Sequence, residues 1–219
     1  MQRVIYYHIM AAKSRKEEWE SVLSLKSRYE LQYIVDHPEG YTPEFLKMAK
    51  EKLAEFADMP DNEAMKVVLK RCLQEMGCPC DETEDGDLEI WFQGTQFLLI
   101  LSPDNHYIEI MDYCWIKADL DDTEEVDRLK QAINKANTDG DITTVYFIDE
   151  KYNAMGAYCS TNILYRPMIL DIKKYLEIRL SNFFLAHDII HAEMVLLKER
   201  ASQQKQALID MSPDKLPVC

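Results

Sequence analysis

Apolar residues recur at helical spacing as far as Gly77 and then switch to alternation, and that switch limits the chain to a mixed architecture. Met65, Val68, Leu69, Cys72 and Met76 fall on one side of a helix that stops at Gly77, a residue suited to the position just past a helix end. Beyond it, residues 88–93, 97–101 and 107–116 alternate and predict three strands, separated by Gly94-Thr95-Gln96 and Ser102-Pro103-Asp104-Asn105. Asp122 or Thr123 then caps a helix whose Val126, Leu129, Ile133 and Ala136 face one way before Asp139-Gly140 breaks it. Residues 143–148 and 155–164 predict two more strands around a turn at Lys151-Tyr152-Asn153, and Pro167 opens a last helix reaching about Gln204. A parallel sheet needs a helix between every pair of strands, so helix, three strands, helix, two strands, helix is an α+β order with an antiparallel sheet.

The N-terminal segment reads as helical. Trp19, Val22, Leu23, Leu31, Ile34 and Val35 recur at helical spacing, and Ser27 with Glu30 forms a capping box. After the loop at 36–40, Thr42 is an N-cap with Pro43 at the first helical position, and Phe45, Leu46, Ala49, Leu53 and Phe56 make a stripe. The expected organisation is therefore an N-terminal helical extension over 1–60, an α+β domain over 61–205 and a flexible tail over 206–219, where Ser212-Pro213 and Leu216-Pro217 interrupt any helix.

Against 39 Asp and Glu stand 25 Lys and Arg, a net charge of -14 that repels phosphate backbones and anionic lipid, so neither nucleic acid nor a membrane is an expected partner. The longest purely apolar run, 97–101, is far below the roughly 18 residues of a membrane span. MQRVIYYHIM lacks the apolar core and cleavage site of a secretory signal, and a cytoplasmic location is expected. There the cysteines at 72, 78, 80, 114, 159 and 219 stay reduced. Cys78-Pro79-Cys80 has no second pair to complete a zinc site and reads as a turn, with redox or metal chemistry as the other reading.

The sharpest catalytic motif is His187-Asp188-Ile189-Ile190-His191, two histidines at i and i+4 that can grip one zinc on a helix. Asp188 is one methylene shorter than the glutamate that acts as general base in H-E-x-x-H, and Leu176, Leu180, Phe183, His187, Ile190, Met194 and Leu197 share one stripe. His187 is accordingly read as a packing histidine, and no metal or other cofactor is expected. Asp81, Thr83, Asp85 and Gly86 mimic a calcium loop, but Phe92 stands where a bidentate glutamate is required. Acidic runs such as DETEDGD are read as solvated loops.

In this order of elements the chain resembles the YbjN-like bacterial proteins, whose domain has the type III secretion chaperone-like fold. EVDRLKQAINKANTDGDITTVYFID is similar to that family's helix with two asparagines three apart, Asn134 and Asn137, followed by a loop and a strand, and LKRCLQEMG is similar to its opening. The resemblance covers about residues 61 to 200 and implies a protein-binding or regulatory module with no catalytic residues to carry over. Read from the residues alone, the two amides near a helix end tie down neighbouring backbone.

Alternation places Leu88, Ile90, Phe92, Ile108, Ile110, Ile116, Val145 and Phe147 on a core face. The opposite face collects Trp91, Tyr107, Met111, Tyr113, Trp115, Tyr146 and Tyr158 among polar groups, the mixture found at interface centres, and these seven are the expected partner-binding residues. The expected function is a non-enzymatic, chaperone- or adaptor-like module that binds a protein or peptide segment, or a second copy of itself. Its rival is a metal-dependent enzyme built on His187 and His191. A last helix from Met168 to Gln204 would span about 55 Å at 1.5 Å per residue, so Ile190, Met194 and Leu197 are expected against the N-terminal helices or a second copy.

Overall fold

The computed structural model describes residues 14–101, 107–165 and 171–210, with side chains as far as Ala207. The turn at 102–105, Pro167 and the tail beyond 210 lie outside the described residues. Helices α1 (Arg15–Ser24), α2 (Arg28–Asp36), α3 (Pro43–Ala54) and α4 (Asp61–Glu75) lead into strands β1 (Cys80–Glu82), β2 (Leu88–Phe92), β3 (Thr95–Leu101), β4 (Tyr107–Asp112) and β5 (Ile116–Asp119). Helix α5 (Thr123–Asp139), strands β6 (Thr143–Asp149) and β7 (Ala154–Leu164) and helix α6 (Ile172–Asp210) complete the α+β fold. The antiparallel sheet is paired in the path β1-β2-β3-β4-β7, and β7 also pairs with β5 and with β6.

Local signals set most helix ends. Ser27 and Glu30 close the capping box that starts α2, Thr42 accepts from the Phe45 N–H ahead of Pro43, and Asp122 accepts from the Glu125 N–H at α5. The N-terminal helical stretch is not continuous: a second capping box, Ser14 with Glu17, starts α1, which ends at Leu25 before Ser27 restarts the helix. Gly77 takes the left-handed conformation after α4, at φ 71°. The turn between β2 and β3 is made by Gln93 and Gly94, both at positive φ, one residue earlier than alternation suggested.

By contacts the chain divides into two compact units: Met1–Trp91, Leu101–Ile108 and Leu164–Glu177 form one, and Phe92–Ile100, Glu109–Ile163 and Ile178–Cys219 the other. The first unit buries Leu23, Leu31, Phe56, Leu69, Leu73 and Ile90. Here Tyr165, also buried, donates its hydroxyl to the Met65 carbonyl at 2.9 Å. DETEDGD is not wholly a solvated loop, because β1 pairs with β2 (Asp81↔Glu89), and Lys66 and Lys70 hold the Glu82 carboxyl down to about 2 by their hydrogen bonds.

In the second unit α5 covers β5, β6 and β7. Val126, Leu129, Ala132, Ile133 and Ala136 pack on Ala118, Met155, Ala157 and the buried Ile190 of α6. Ile190 and Met194, expected against the N-terminal helices or a second copy, dock on α5 and the sheet within one unit. Residues Ile172–Ala207 are long and apolar enough to cross a membrane by length and composition alone. Yet the same helix seats Leu180, Phe183, Ala186 and Ile190 in this core, with Phe183 edge-on to Phe97 at 5.1 Å between ring centres.

Strand registers correct two expectations about faces. β6 pairs Thr144↔Cys159, Val145↔Tyr158, Tyr146↔Ala157 and Phe147↔Gly156, and directly opposed residues share a face. Val145 and Phe147 thus lie with Tyr158 on the face away from α5, each 37% exposed, while Tyr146 lies on the α5 face with its ring beneath the Lys130 ammonium at 6.0 Å. Five consecutive apolar or β-branched residues carry no parity of their own, so the partner strand's register decides which side each takes. The run 107–116 likewise breaks into β4 and β5 with residues 113–115 between, which turns Trp115 to the helix side, against the α5 core cluster.

Phe147 and Cys114 close over Gly156, where an added Cβ would stand 2.7 Å from the Phe147 ring and from the Cys114 sulfur. Gly156→Ala is expected to cost about 1 kcal/mol as that ring is forced aside. The urea midpoint measures it, and an unchanged midpoint would contradict the lie of Phe147 across the strand.

Candidate functional site

β5 and β6 both pair with residues 154–157 of β7, and a strand has two edges, so they take opposite ones. β4 continues along the β5 side, and the gap at 113–115 leaves the Cys159 N–H facing it without a backbone acceptor. Asp112 fills the gap: its Oδ1 accepts from the Cys159 N–H at 2.6 Å, and its Oδ2 lies 2.6 Å from Nε2 of His187 on α6. Asp112 is 2% exposed, and both its oxygens are spent on these two partners. The Trp115 indole stacks on the His187 ring at 4.0 Å between centres and meets the exposed His191 ring edge-on at 5.2 Å, with its buried Nε1 finding no hydrogen-bond partner among the described residues. Thr144 hydroxyl stands 3.2 Å from the Cys159 sulfur.

Asn137 completes the arrangement from α5. Its Oδ1 accepts from the Thr144 N–H at 2.7 Å and its Nδ2 donates to the Thr144 carbonyl at 3.0 Å, so one amide pairs with β6 as a neighbouring strand would. The amide does tie down backbone, though on a strand seven residues away. Asn134 is exposed, and its own carbonyl accepts from the Thr138 hydroxyl at 2.8 Å.

The donor atoms of Asp112, Cys159 and His187 lie within 4.8 Å of one another, a set of types that suits zinc. The group does not include His191, so the structure brings His187 to an aspartate and a cysteine instead of to its sequence neighbour. Two ligands on one tetrahedral zinc stand about 3.3 Å apart, whereas Asp112 and His187 are in direct hydrogen-bond contact. Burial, and then the Asp112 charge, push the Cys159 thiol up to about 12, which keeps the sulfur protonated near neutral pH. Cys78 is buried and Cys80 half-buried, with both thiols raised first by burial.

Of the seven residues expected at a partner site, Trp91 on β2 and Tyr107 at the start of β4 are exposed on the strand faces alternation assigned, and Tyr113, past the end of β4, is exposed outside the strands. Met111 and Tyr158 are half-buried on that same outer side in the second unit. Trp115 and Tyr146 are on the other side, for the reasons of register given above. Asp112, Thr144 and Cys159 escaped the sequence reading, although Asp112 follows Ile108 and Ile110 in phase, and that parity alone points a carboxylate inward.

No family model and no curated protein matches the chain. Among solved structures, the crystal structure of YbjN from E. coli aligns over 62% of this chain and 90% of that one, at 14% identity and a TM-score of 0.38. This is a partial likeness, and the fold described here stands on the chain's own topology.

Truncating Asp112 strands the Cys159 N–H and the imidazole together. Asp112→Ala is expected to cost about 3 kcal/mol, and Asp112→Asn distinctly less, because the amide oxygen still accepts from Cys159 while its NH2 faces His187; urea unfolding of the pair distinguishes them. Alkaline stability follows from the thiols. Cys159, at about 12, and Cys72, raised by burial to about 11, stay protonated in the folded chain while their unfolded counterparts ionise from about 9. The stability they contribute is complete below pH 9 and falls as pH rises toward 12, and Cys159→Ala is expected to flatten that decline in urea titrations at pH 8 to 11.

Proposed function

We propose that the chain is a non-catalytic protein-binding module of chaperone or adaptor type, a YbjN-like domain with added N-terminal helices, working in the cytoplasm. One observation carries this reading: on the sheet face away from α5, the second unit leaves Met111, Val145, Phe147 and Tyr158 exposed or half-buried. Apolar and aromatic side chains gathered on one face, with Lys117 and Asn162 among them, have the composition of an interface centre. The buried cluster supports it from the other direction, since its carboxylate is consumed by structural hydrogen bonds and its thiol is held protonated. Free cysteines throughout the described residues accord with a reducing compartment.

A displayed library of random peptides panned against the full chain tests the reading. Selected peptides are expected to bind at least tenfold more weakly, about 1.4 kcal/mol, to the variant carrying Val145→Ser and Tyr158→Ser, with little change in its urea midpoint. A library that yields no binder, or binders indifferent to the double substitution, would remove this face from consideration.

A further inference from the structure

Strand β6 is an edge: among the described residues it pairs only with β7. In an antiparallel ladder the N–H and C=O of alternate residues point to opposite sides. Thr144 directs both of its groups away from β7, because Asn137 holds them, and so Tyr146 and Ile148 direct theirs the same way. No described group bonds them there. Residues 145–148 are all exposed, Tyr146 at 47% and Ile148 at 50%. Edges of this length are ordinarily blunted by lysine, proline or a bulge, and 143–148, TTVYFI, has none of the three.

We propose that β6 accepts an extended peptide as an added antiparallel strand, paired to Tyr146 and Ile148, stopped on one side by Asn137 and carrying basic residues on its flanks. This rests on the protein-binding reading and names its mode. Charge selects the occupant. Asp149 and Glu150 end β6 on a chain of net charge -14, whereas Asp139 and Asp141 before it are ion-paired with Lys135 and Arg179. A second copy is disfavoured by the same charges. The two-fold register that satisfies both free pairs puts Tyr146 against Ile148 of the other copy, which gives Asp149 and Glu150 only Val145 and Thr144 as partners while bringing together two chains of net charge -14. A peptide with Lys or Arg beyond its paired residues meets those carboxylates with the opposite sign. Main-chain bonds supply affinity in such strand addition, and alternate side chains supply choice.

The probe is the peptide acetyl-Lys-Lys-Thr-Val-Thr-Val-Thr-Lys-Lys-amide, compared with its alternately N-methylated form and with a form carrying Glu for every Lys, all titrated into the full chain. The lysine peptide is expected to bind and to shift the amide resonances of residues 146 and 148. N-methylation and the Ile148→Pro substitution, which deletes one outward N–H but no bond to β7, should each weaken binding at least tenfold, and the glutamate peptide should not bind at the same concentration. Absence of binding by the lysine peptide, or equal binding by the N-methylated form, overturns the proposal, and the peptide arm decides even if Ile148→Pro fails to fold. A dimer in sedimentation that Ile148→Pro dissociates would assign the edge to a second copy and also overturn it. Loss of binding with Val145→Ser and Tyr158→Ser but not with Ile148→Pro would leave the protein-binding face standing and remove the edge.

Discussion

A single carboxylate bridges the interruption between β4 and β5 in the sheet of the second unit. Between β4 and β5 the chain leaves the ladder for three residues, and a buried N–H at Cys159 would otherwise lose its acceptor. Asp112 replaces the missing carbonyl with one oxygen and ties α6 to the sheet through His187 with the other. A buried acceptor with both oxygens engaged avoids the several-kilocalorie penalty of an unpaired charge, and it does so only while sheet and helix keep their places. That bond holds His187 of α6 where the Trp115 ring packs on it, tilted by 31°.

The same break turns Trp115 to the helix side, while Ile116 after it keeps the core side that alternation gave it. Without it Trp115 would face outward with Met111 and Tyr113; with it the indole is drawn into the cluster beside α5. What remains on the outer face is smaller and more aliphatic than alternation suggests, with Phe147 lying across Gly156 and Tyr158 beside it at 6.2 Å between rings. The protein-binding reading therefore rests on a face assembled from β4, β6 and β7. The burial that surrounds Asp112 also raises the nearby Cys159 thiol.

Asn137 illustrates how one side chain can serve two ends. Its amide covers the outward pair of Thr144 and leaves the pairs at Tyr146 and Ile148 open. An edge guarded at one position and bare at the next two has a defined stopping point, which is a form of register control. Asp149 and Glu150 at the far end of β6 add a sign preference to that geometry.

Helix identities, their caps at Ser27, Thr42 and Asp122, the stop at Gly77 and the alternating strands were legible in the sequence, because each is decided by interactions within about four residues. So was the inward phase of Ile108 and Ile110. The break after Asp112, the pairing of β1, the face taken by Val145, Tyr146 and Phe147, and the meeting of Asp112 with a histidine 75 residues away were not. These depend on which strand supplies the opposing N–H and C=O groups, and a run of uniformly apolar residues fits either parity equally well. Composition and local pattern thus determined that this chain makes an α+β fold with a strongly acidic surface, whereas only tertiary pairing decided which of its aromatics are buried and which edge stays open, since a one-residue change of register exchanges every side chain between the two faces.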